Sequence, residues 1–339
     1  MRVVILGGGI AAVFTALFLE ERGFRVVKIG GEVAYPLASL VLTHSMPNRE
    51  DVELSIESLS IYRRFVEPRE VTSIDILPRW VDLSSLSGVR HEVTERIEGL
   101  RLNDGEIAVI TKDYLIPVRK VVKRLRRELG FLNAYGLLKV RDGRAHVVAD
   151  GERVEGDVVV LAAGYRNKLL AEKAGVTMPL MPYECYAAVC IASRNLWRYS
   201  IGDYILGWYG RPAVPPLYIA GNGCGKFGQG PPPRYGEKIG NLISQRGGKV
   251  IPLYVKTGYC EVGPHGGPLY GRHPEVENLY VIGGLNGYGG MVGPALARRL
   301  ADIITDRGRG GAFRIENIHM TDFNPCGVQE RHEWRPWMG

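Results

Sequence analysis

The sequence predicts an α/β chain in which a domain built on a parallel sheet is interleaved with a domain built on an antiparallel sheet. Three observations predict it. Val3-Val4-Ile5-Leu6 is an apolar run that meets Gly7-Gly8-Gly9 and then a helical pattern, the opening of a βαβ unit. Asp157-Val158-Val159-Val160-Leu161 and Leu279-Tyr280-Val281-Ile282 have the largely apolar character of strands buried on both faces. Residues 71–111 and 183–262, in contrast, break into short strand patterns around turn signals, as antiparallel structure does.

The elements follow in order. A helix from Ile10 to Arg22 ends where Gly23 supplies a C-terminal glycine, and Arg25–Ile29 is the second strand. Apolar spacing predicts a helix over about 51–65. Short strands then alternate with turns such as Asn103-Asp104-Gly105, and a basic helix follows Pro117. Leu137–Val140 and Ala145–Ala149 flank Asp142-Gly143, a good hairpin turn. Residues 183–262 are rich in Tyr, Trp, Gly and Pro and predict sheet with long loops. After the strand at 279–282 comes a glycine-rich turn and a helix from about Pro294 to Thr305.

Composition narrows the class. A chain of 339 residues with 45% hydrophobic and 23% charged residues has the balance of a globular protein. The net charge of +7 is spread along the chain, and its densest run, Arg119 to Arg127, has helical spacing. That run reads as a solvated basic face, so no nucleic-acid partner is predicted. The apolar first nineteen residues are interrupted by Gly7-Gly8-Gly9 and read as strand and helix, not as a leader. No other stretch approaches the ~20 apolar residues of a membrane span. The five cysteines lack metal-ligand spacing, which predicts a cytoplasmic, mostly reduced protein without a metal. Only three glutamines, Gln229, Gln245 and Gln329, hint at a thermophile.

Gly7-Gly8-Gly9-Ile10-Ala11-Ala12 matches G-x-G-x-x-G/A in its diagnostic setting, after a strand and at the start of a helix. Gly7 permits the tight turn, Gly9 lets the backbone approach a pyrophosphate, and Ala12 lets helix and sheet pack closely. With Ile10 and Ala11 at the helix N-terminus, the motif predicts a Rossmann-type nucleotide site. The acid that usually binds the ribose would end the second strand, but Gly30 stands there. Glu32, two residues later, is the candidate if the strand end bulges.

Taken together, these segments resemble the D-amino acid oxidase superfamily of FAD enzymes, which includes glycine oxidase and sarcosine oxidase. Ala38-Ser39 resembles the family's small residue and serine near the flavin phosphates. Residues 51–59 look like its next helix, and 113–117 like the lead into the one after. Residues 157–164 resemble the strand and small-residue turn, with Ala163 and Gly164, that pass the cofactor. Residues 178–182 resemble the entry to the substrate domain. The strongest match is Asn278 to Ala295, followed by Leu300–Ile304. In the family, its Gly283, Gly284, Gly287, Tyr288, Gly289, Gly290 and Met291 would lie near the flavin ring. The resemblance implies an FAD-binding domain from 1–70, 113–170 and 264–305, a substrate domain from 71–112 and 171–263, and a tail over 306–339.

It also implies oxidation of a small amine or amino acid by hydride transfer to flavin N5, with oxygen or another carrier as electron acceptor. The Arg that grips a substrate carboxylate in many family members is absent at both usual places, where Cys260 and Gly287 stand. Arg211, Arg234 and Arg272 are substitutes if the substrate carries a carboxylate. Lys226 resembles the sarcosine oxidase lysine that assists reaction with oxygen, one residue out of register unless a glycine bulge corrects it. Tyr209, Tyr218, Tyr259 and Tyr288 fall in segments that would border the flavin. A hydroxy acid or polyol phosphate substrate stays open, as does a flavin-binding subunit that works only with a partner, and so does a homo-oligomer.

Overall fold

The computed structural model describes residues 1–31, 49–86 and 88–306. In chain order the first third comprises β1 (Arg2–Leu6), α1 (Ile10–Glu21), β2 (Arg25–Ile29), α2 (Arg49–Tyr62), β3 (Arg69–Pro78), β4 (His91–Thr94) and β5 (Glu106–Leu115). Then come α3 (Val118–Glu128), β6 (Gly136–Arg141), β7 (Arg144–Ala149), β8 (Glu152–Val154), β9 (Val158–Leu161), α4 (Asn167–Glu172) and β10 (Met181–Ala192). The last third holds β11 (Tyr199–Asp203), β12 (Trp208–Pro212), β13 (Leu217–Lys226), α5 (Tyr235–Gln245), β14 (Val250–Val262), β15 (Leu269–Arg272), β16 (Leu279–Gly283) and α6 (Gly289–Thr305).

The chain divides into two compact units, and the described residues of the first are 1–31, 117–183 and 259–306. Its five-stranded sheet has the order β15-β16-β9-β1-β2. β2, β1, β9 and β16 run parallel, and β15 closes the edge antiparallel to β16. From β1 the chain turns to β2 on one side and reaches β9 on the other, so the C-terminal end of β1 is a topological switch point, where open α/β sheets bind ligands. One face of the sheet, with Val4, Leu6, Val159, Leu161 and Val281, packs on the antiparallel β6-β7-β8 sheet through Leu138, Ala145 and Val147. The alternate residues Val3, Ile5, Val160 and Ile282 are buried too. With α1 set against α3 and α6, both faces are covered, which is why these strands read as unbroken apolar runs.

The hairpin between β6 and β7 turns at Asp142 and Gly143, both at positive φ, as its sequence predicts. The helix expected from Pro294 begins five residues earlier, at Gly289, with Tyr288 as N-cap and Pro294 inside. Proline suits a first helical position, which is why the sequence predicts the helix to begin at Pro294. The structure instead starts the helix where the Met291 and Val292 N–H groups reach back to the Tyr288 carbonyl.

The second unit has described residues within 49–116 and 184–258. Its eight-stranded sheet has the order β14-β10-β13-β12-β11-β3-β5-β4. β3 runs antiparallel to β5 but parallel to β11, so the expected antiparallel sheet contains a parallel seam. Tyr235, Ile239 and Ile243, at four-residue spacing along α5, pack on Tyr186, Ala188, Tyr218 and Ala220. At the C-terminal end of α5 lies an ion network. Arg246, 1% exposed, donates to Glu106 Oε2 at 2.5 Å and to Asp203 Oδ2 at 2.7 Å.

These units group several segments differently from the boundaries read from the sequence, residues 113–116 going to the second unit and 259–263 to the first. α2 groups with the second unit, where Arg63, just past its end, stacks over Tyr114 of β5. Residues 171–183 stay with the first, because Val176, Met178 and Leu180 fill its core.

Candidate functional site

The first unit gathers its glycine-rich turns at the C-terminal ends of β1, β9 and β16. Gly7 lies at φ +144°, and a Cβ there would sit 2.0 Å from the Ala162 carbonyl oxygen, so the first turn lies directly against the end of β9. Gly7 N–H donates to Ile29 O at 2.8 Å, and Ala162 N–H to Leu6 O at 2.8 Å, which ties the three strand ends together. Gly9 is the N-cap of α1, and Val13 N–H donates to its carbonyl at 3.0 Å. Among the described residues no side chain caps α1 or α6, and neither helix carries an acid in its first turn. Both N-termini therefore direct the positive end of a helix dipole to this edge.

The two turns meet at Ile10. A Cβ added at Gly289 would lie 3.8 Å from Ile10 Cγ2, and one at Gly293 would lie 3.5 Å from it. Ile10, Ala11 and Ala12 are buried, while Tyr288, Gly289, Gly290 and Met291 are half-buried and Gly287 is exposed. Of the remaining turn residues, Gly283 and Gly284 are buried, Ala163 is half-buried and Gly164 is exposed at φ +60°. Glu32, Ala38 and Ser39 lie outside the described residues.

Three side chains that the sequence reading passed over hold these turns. Arg126, half-buried amid an otherwise exposed basic face, donates Nη1 to Gly8 O at 2.9 Å and Nη2 to Gly30 O at 2.7 Å. The basic run was expected to be solvated throughout, and Arg126 corrects that for one of its residues. The signal was its position one turn beyond Val122 and beside Leu125, at the border of the buried stripe. Asn167 accepts from Ala163 N–H at 2.7 Å and donates to Glu261 Oε1 at 2.7 Å. Glu261 Oε1 also accepts from Gly284 N–H at 3.1 Å. A buried acid in an apolar strand end, Cys-Glu-Val-Gly, was the available signal for Glu261.

The turn after β16 is pinned at a second point. Asn286, at φ +43°, accepts from Tyr183 OH at 2.9 Å and donates Nδ2 to Gly266 O at 3.1 Å. Asn tolerates this left-handed conformation better than most residues do, and its side chain uses it to bridge two neighbouring segments.

The candidate catalytic residues divide between the units. In the first, Tyr259 is about half exposed, with its ring 5.1 Å from that of Tyr165, and Tyr288 caps α6. In the second, Lys226 is exposed at the end of β13. The loop beyond it is tied down by Glu184, whose oxygens accept from Gly228 N–H at 3.0 Å, Gly230 N–H at 2.8 Å and Tyr186 OH at 3.1 Å. Burial alone would raise the Glu184 pKa, but these donors outweigh it and hold the carboxyl below its ordinary range. Tyr209 is half exposed and would touch a Cβ at Gly221 through its hydroxyl.

Tyr218 corrects an expectation. It is fully buried in the α5-covered core and its hydroxyl donates to Tyr199 O at 3.2 Å, so it has no surface to offer a substrate. Among the candidate arginines, Arg234 is exposed and forms an ion pair with Glu237. Arg211 is half-buried on β12, where burial pulls its guanidinium down to about 10.

Comparisons with known proteins bear on the fold and the family. The family model described as DAO, FAD dependent oxidoreductase, matches residues 2–303. A curated relative, FAD-dependent oxidoreductase domain-containing protein 1 from Xenopus laevis, is 26% identical over 205 residues, which are 53% of this chain and 40% of the relative. Among solved structures, L-proline dehydrogenase from P. horikoshii has a TM-score of 0.78 at 17% identity, covering 90% of this chain and 93% of that one. Iminodiacetate oxidase from Chelativorans sp. BNC1 has a TM-score of 0.69 at 17% identity, covering 94% and 98%. Glycine oxidase from Bacillus cereus ATCC 14579 has 0.71 at 17% identity, covering 90% and 95%. At such identities the structural likeness speaks for the fold, and the family model carries the assignment: the chain belongs to the DAO family of FAD-dependent oxidoreductases.

Proposed function

We propose that this protein oxidises a small amine or amino acid, using FAD held at the turns around residues 7–12 and 283–291. The observation that carries the reading is the convergence of two helix N-termini and their glycine turns at Ile10. The α1 end, with Gly7, Gly9, Ile10, Ala11 and Ala12, would hold the pyrophosphate. The α6 end would face the ring system, with Ala163, Gly164, Gly283, Gly284 and Gly287 through Met291 around it. Bound FAD supplies a hydride acceptor at N5, which no side chain can replace. The protein's part is to orient the substrate C–H bond, to exclude water, and to offer positive potential from the α6 N-terminus.

Substrate class rests on the resemblance and on the names of structural neighbours, which include an L-proline dehydrogenase, an iminodiacetate oxidase and a glycine oxidase. Tyr259 and Tyr288 in the first unit, with Tyr209 and Lys226 in the second, are the candidates for substrate and oxygen contacts. A hydroxy acid or polyol phosphate is the second reading: Cys260 and Gly287 stand where family members carry a carboxylate-binding Arg, which speaks for a substrate without a carboxylate, such as a polyol phosphate.

The test is the visible spectrum of the purified protein, acid release of its chromophore, and anaerobic bleaching by panels of amines, amino acids and hydroxy acids. Bleaching by an amine alone supports the reading. Bleaching by hydroxy acids alone moves it to the second. A protein that stays yellow with every compound points to a flavin subunit that needs a partner. Cytoplasmic residence is part of the proposal, supported by the buried, unpaired thiol of Cys190. Among the described residues no helix is long and apolar enough to cross a membrane.

A further inference from the structure

Glu261 sits near the end of β14, 4% exposed, and touches the turn after β16 through both side chain and backbone. Its Oε1 receives Asn167 Nδ2 and Gly284 N–H, and its backbone carbonyl receives Asn286 N–H at 2.9 Å. Asn167, also fully buried, extends the chain of contacts to Ala163 N–H and shares its Nδ2 with Ile282 O at 3.3 Å. A Cβ at Gly283 would lie 2.4 Å from Glu261 Oε1 and 2.5 Å from Asn167 Nδ2, so the turn closes directly on this pair. One carboxyl thus joins the turns at 162–167 and 283–288.

The other oxygen, Oε2, is buried with no hydrogen-bond partner among the described residues. Ionisation would leave charge there without a compensating donor, which is costly in a dry interior. Burial accordingly pushes the carboxyl up to about 8, with the hydrogen bonds from Gly284 and Asn167 opposing it. Asn167 of α4 and the backbone of the β16 turn are the groups facing it, and no charged neighbour enters the balance among the described residues.

We propose that Glu261 is a positioning residue of the flavin site: as the neutral acid it ties the two turns together through Asn167, and its ionisation loosens both. The proposal rests on the flavin reading only in calling these turns the cofactor's. Since the native carboxyl keeps its proton to higher pH than an unfolded one, its contribution is complete below the ordinary value near 4.5. It is lost as pH rises through about 8.

The experiment compares wild type, Glu261→Gln and Glu261→Leu as full-length proteins. It measures thermal unfolding of the FAD-free form and FAD affinity by the visible flavin band, each across neutral to alkaline pH. The wild-type midpoint and affinity fall as pH passes about 8. Glu261→Gln, which keeps an acceptor for Asn167 and Gly284 but has no proton to lose, stays level over the same range. Glu261→Leu, which gives up both acceptor bonds, binds FAD about tenfold more weakly than wild type at neutral pH, and the gap narrows as wild type weakens at alkaline pH. An alkaline fall in Glu261→Gln equal to that of wild type overturns the proposal, as does a Gln variant as weak as the Leu variant. Colourless protein throughout would defeat the flavin reading, while the unfolding series on FAD-free protein still decides for or against Glu261.

Discussion

Arg126 and Gly8 are 118 positions apart in the chain, yet the arginine Nη1 lies 2.9 Å from the glycine carbonyl oxygen. Its second nitrogen reaches Gly30, so one planar guanidinium grips both loops that leave β1 and β2. Arg126→Ala removes both charge-assisted bonds and is expected to destabilise the protein by about 2 kcal/mol. FAD affinity is expected to fall about tenfold. Arg126→Lys recovers only part of each, because an ammonium cannot fork between two carbonyls. Thermal unfolding and flavin titration of the three proteins check this. An alanine variant equal to wild type in both would remove Arg126 from the site.

The glycines of the two turns separate by the space around them. Gly7→Ala places its Cβ against the Ala162 backbone at a positive φ, and is expected to cost at least about 3 kcal/mol and to leave the protein without flavin. Gly293→Ala meets Ile10 only at ordinary contact distance inside a helix. There alanine is expected to stabilise by up to about 1 kcal/mol. Unfolding midpoints and flavin content of the purified variants distinguish the two, and a Gly7→Ala protein that stays fully yellow would contradict the packing described.

The buried ion network of the second unit makes a prediction of a different kind. Truncating Arg246 to Ala leaves Glu106 and Asp203 buried without their cation and is expected to cost about 3–5 kcal/mol. Denaturant unfolding measures it directly. Burial raises the Glu106 carboxyl, but donors from Arg246 and Asn103 outweigh burial and hold it below 4.5. Glu184 is lowered in the same way by Gly230, Gly228 and Tyr186. The stability these groups contribute is present above about pH 4.5 and lost as pH falls below it. The acid limb of the stability profile should flatten in a Glu106→Gln, Arg246→Met double variant.

Lys226 admits a kinetic test. If its ammonium assists electron transfer to oxygen, Lys226→Met slows flavin reoxidation by about 100-fold. Anaerobic reduction by substrate should then proceed at the wild-type rate. Equal effects on both half-reactions, or none on either, would exclude that role.

Several features were legible from local pattern. The Gly7–Ala12 turn, the strands at 158–161 and 279–282, the Asp142-Gly143 hairpin and the basic helix after Pro117 each carry their instruction within about ten residues, through φ requirements or apolar period. The start of α6 was misplaced because Pro294 suits a first helical position, and nothing local says that Tyr288 caps the helix first. Tyr218 was taken for a site residue because alternation in a strand identifies two faces without saying which of them α5 will cover.

What the sequence determined by itself was the set of glycine turns between strand and helix, since a glycine's freedom and a helix's N-terminus are local properties. Only the tertiary structure decided which side chains clamp those turns. Arg126 reaches Gly8 across 118 positions and Asn167 meets Glu261 across 94, and a hydrogen bond between residues far apart in the chain leaves no periodicity to read. Burial by neighbours remote in sequence, which turns Glu261 from a surface acid into a proton-holding one, exists only once the sheet has assembled around it.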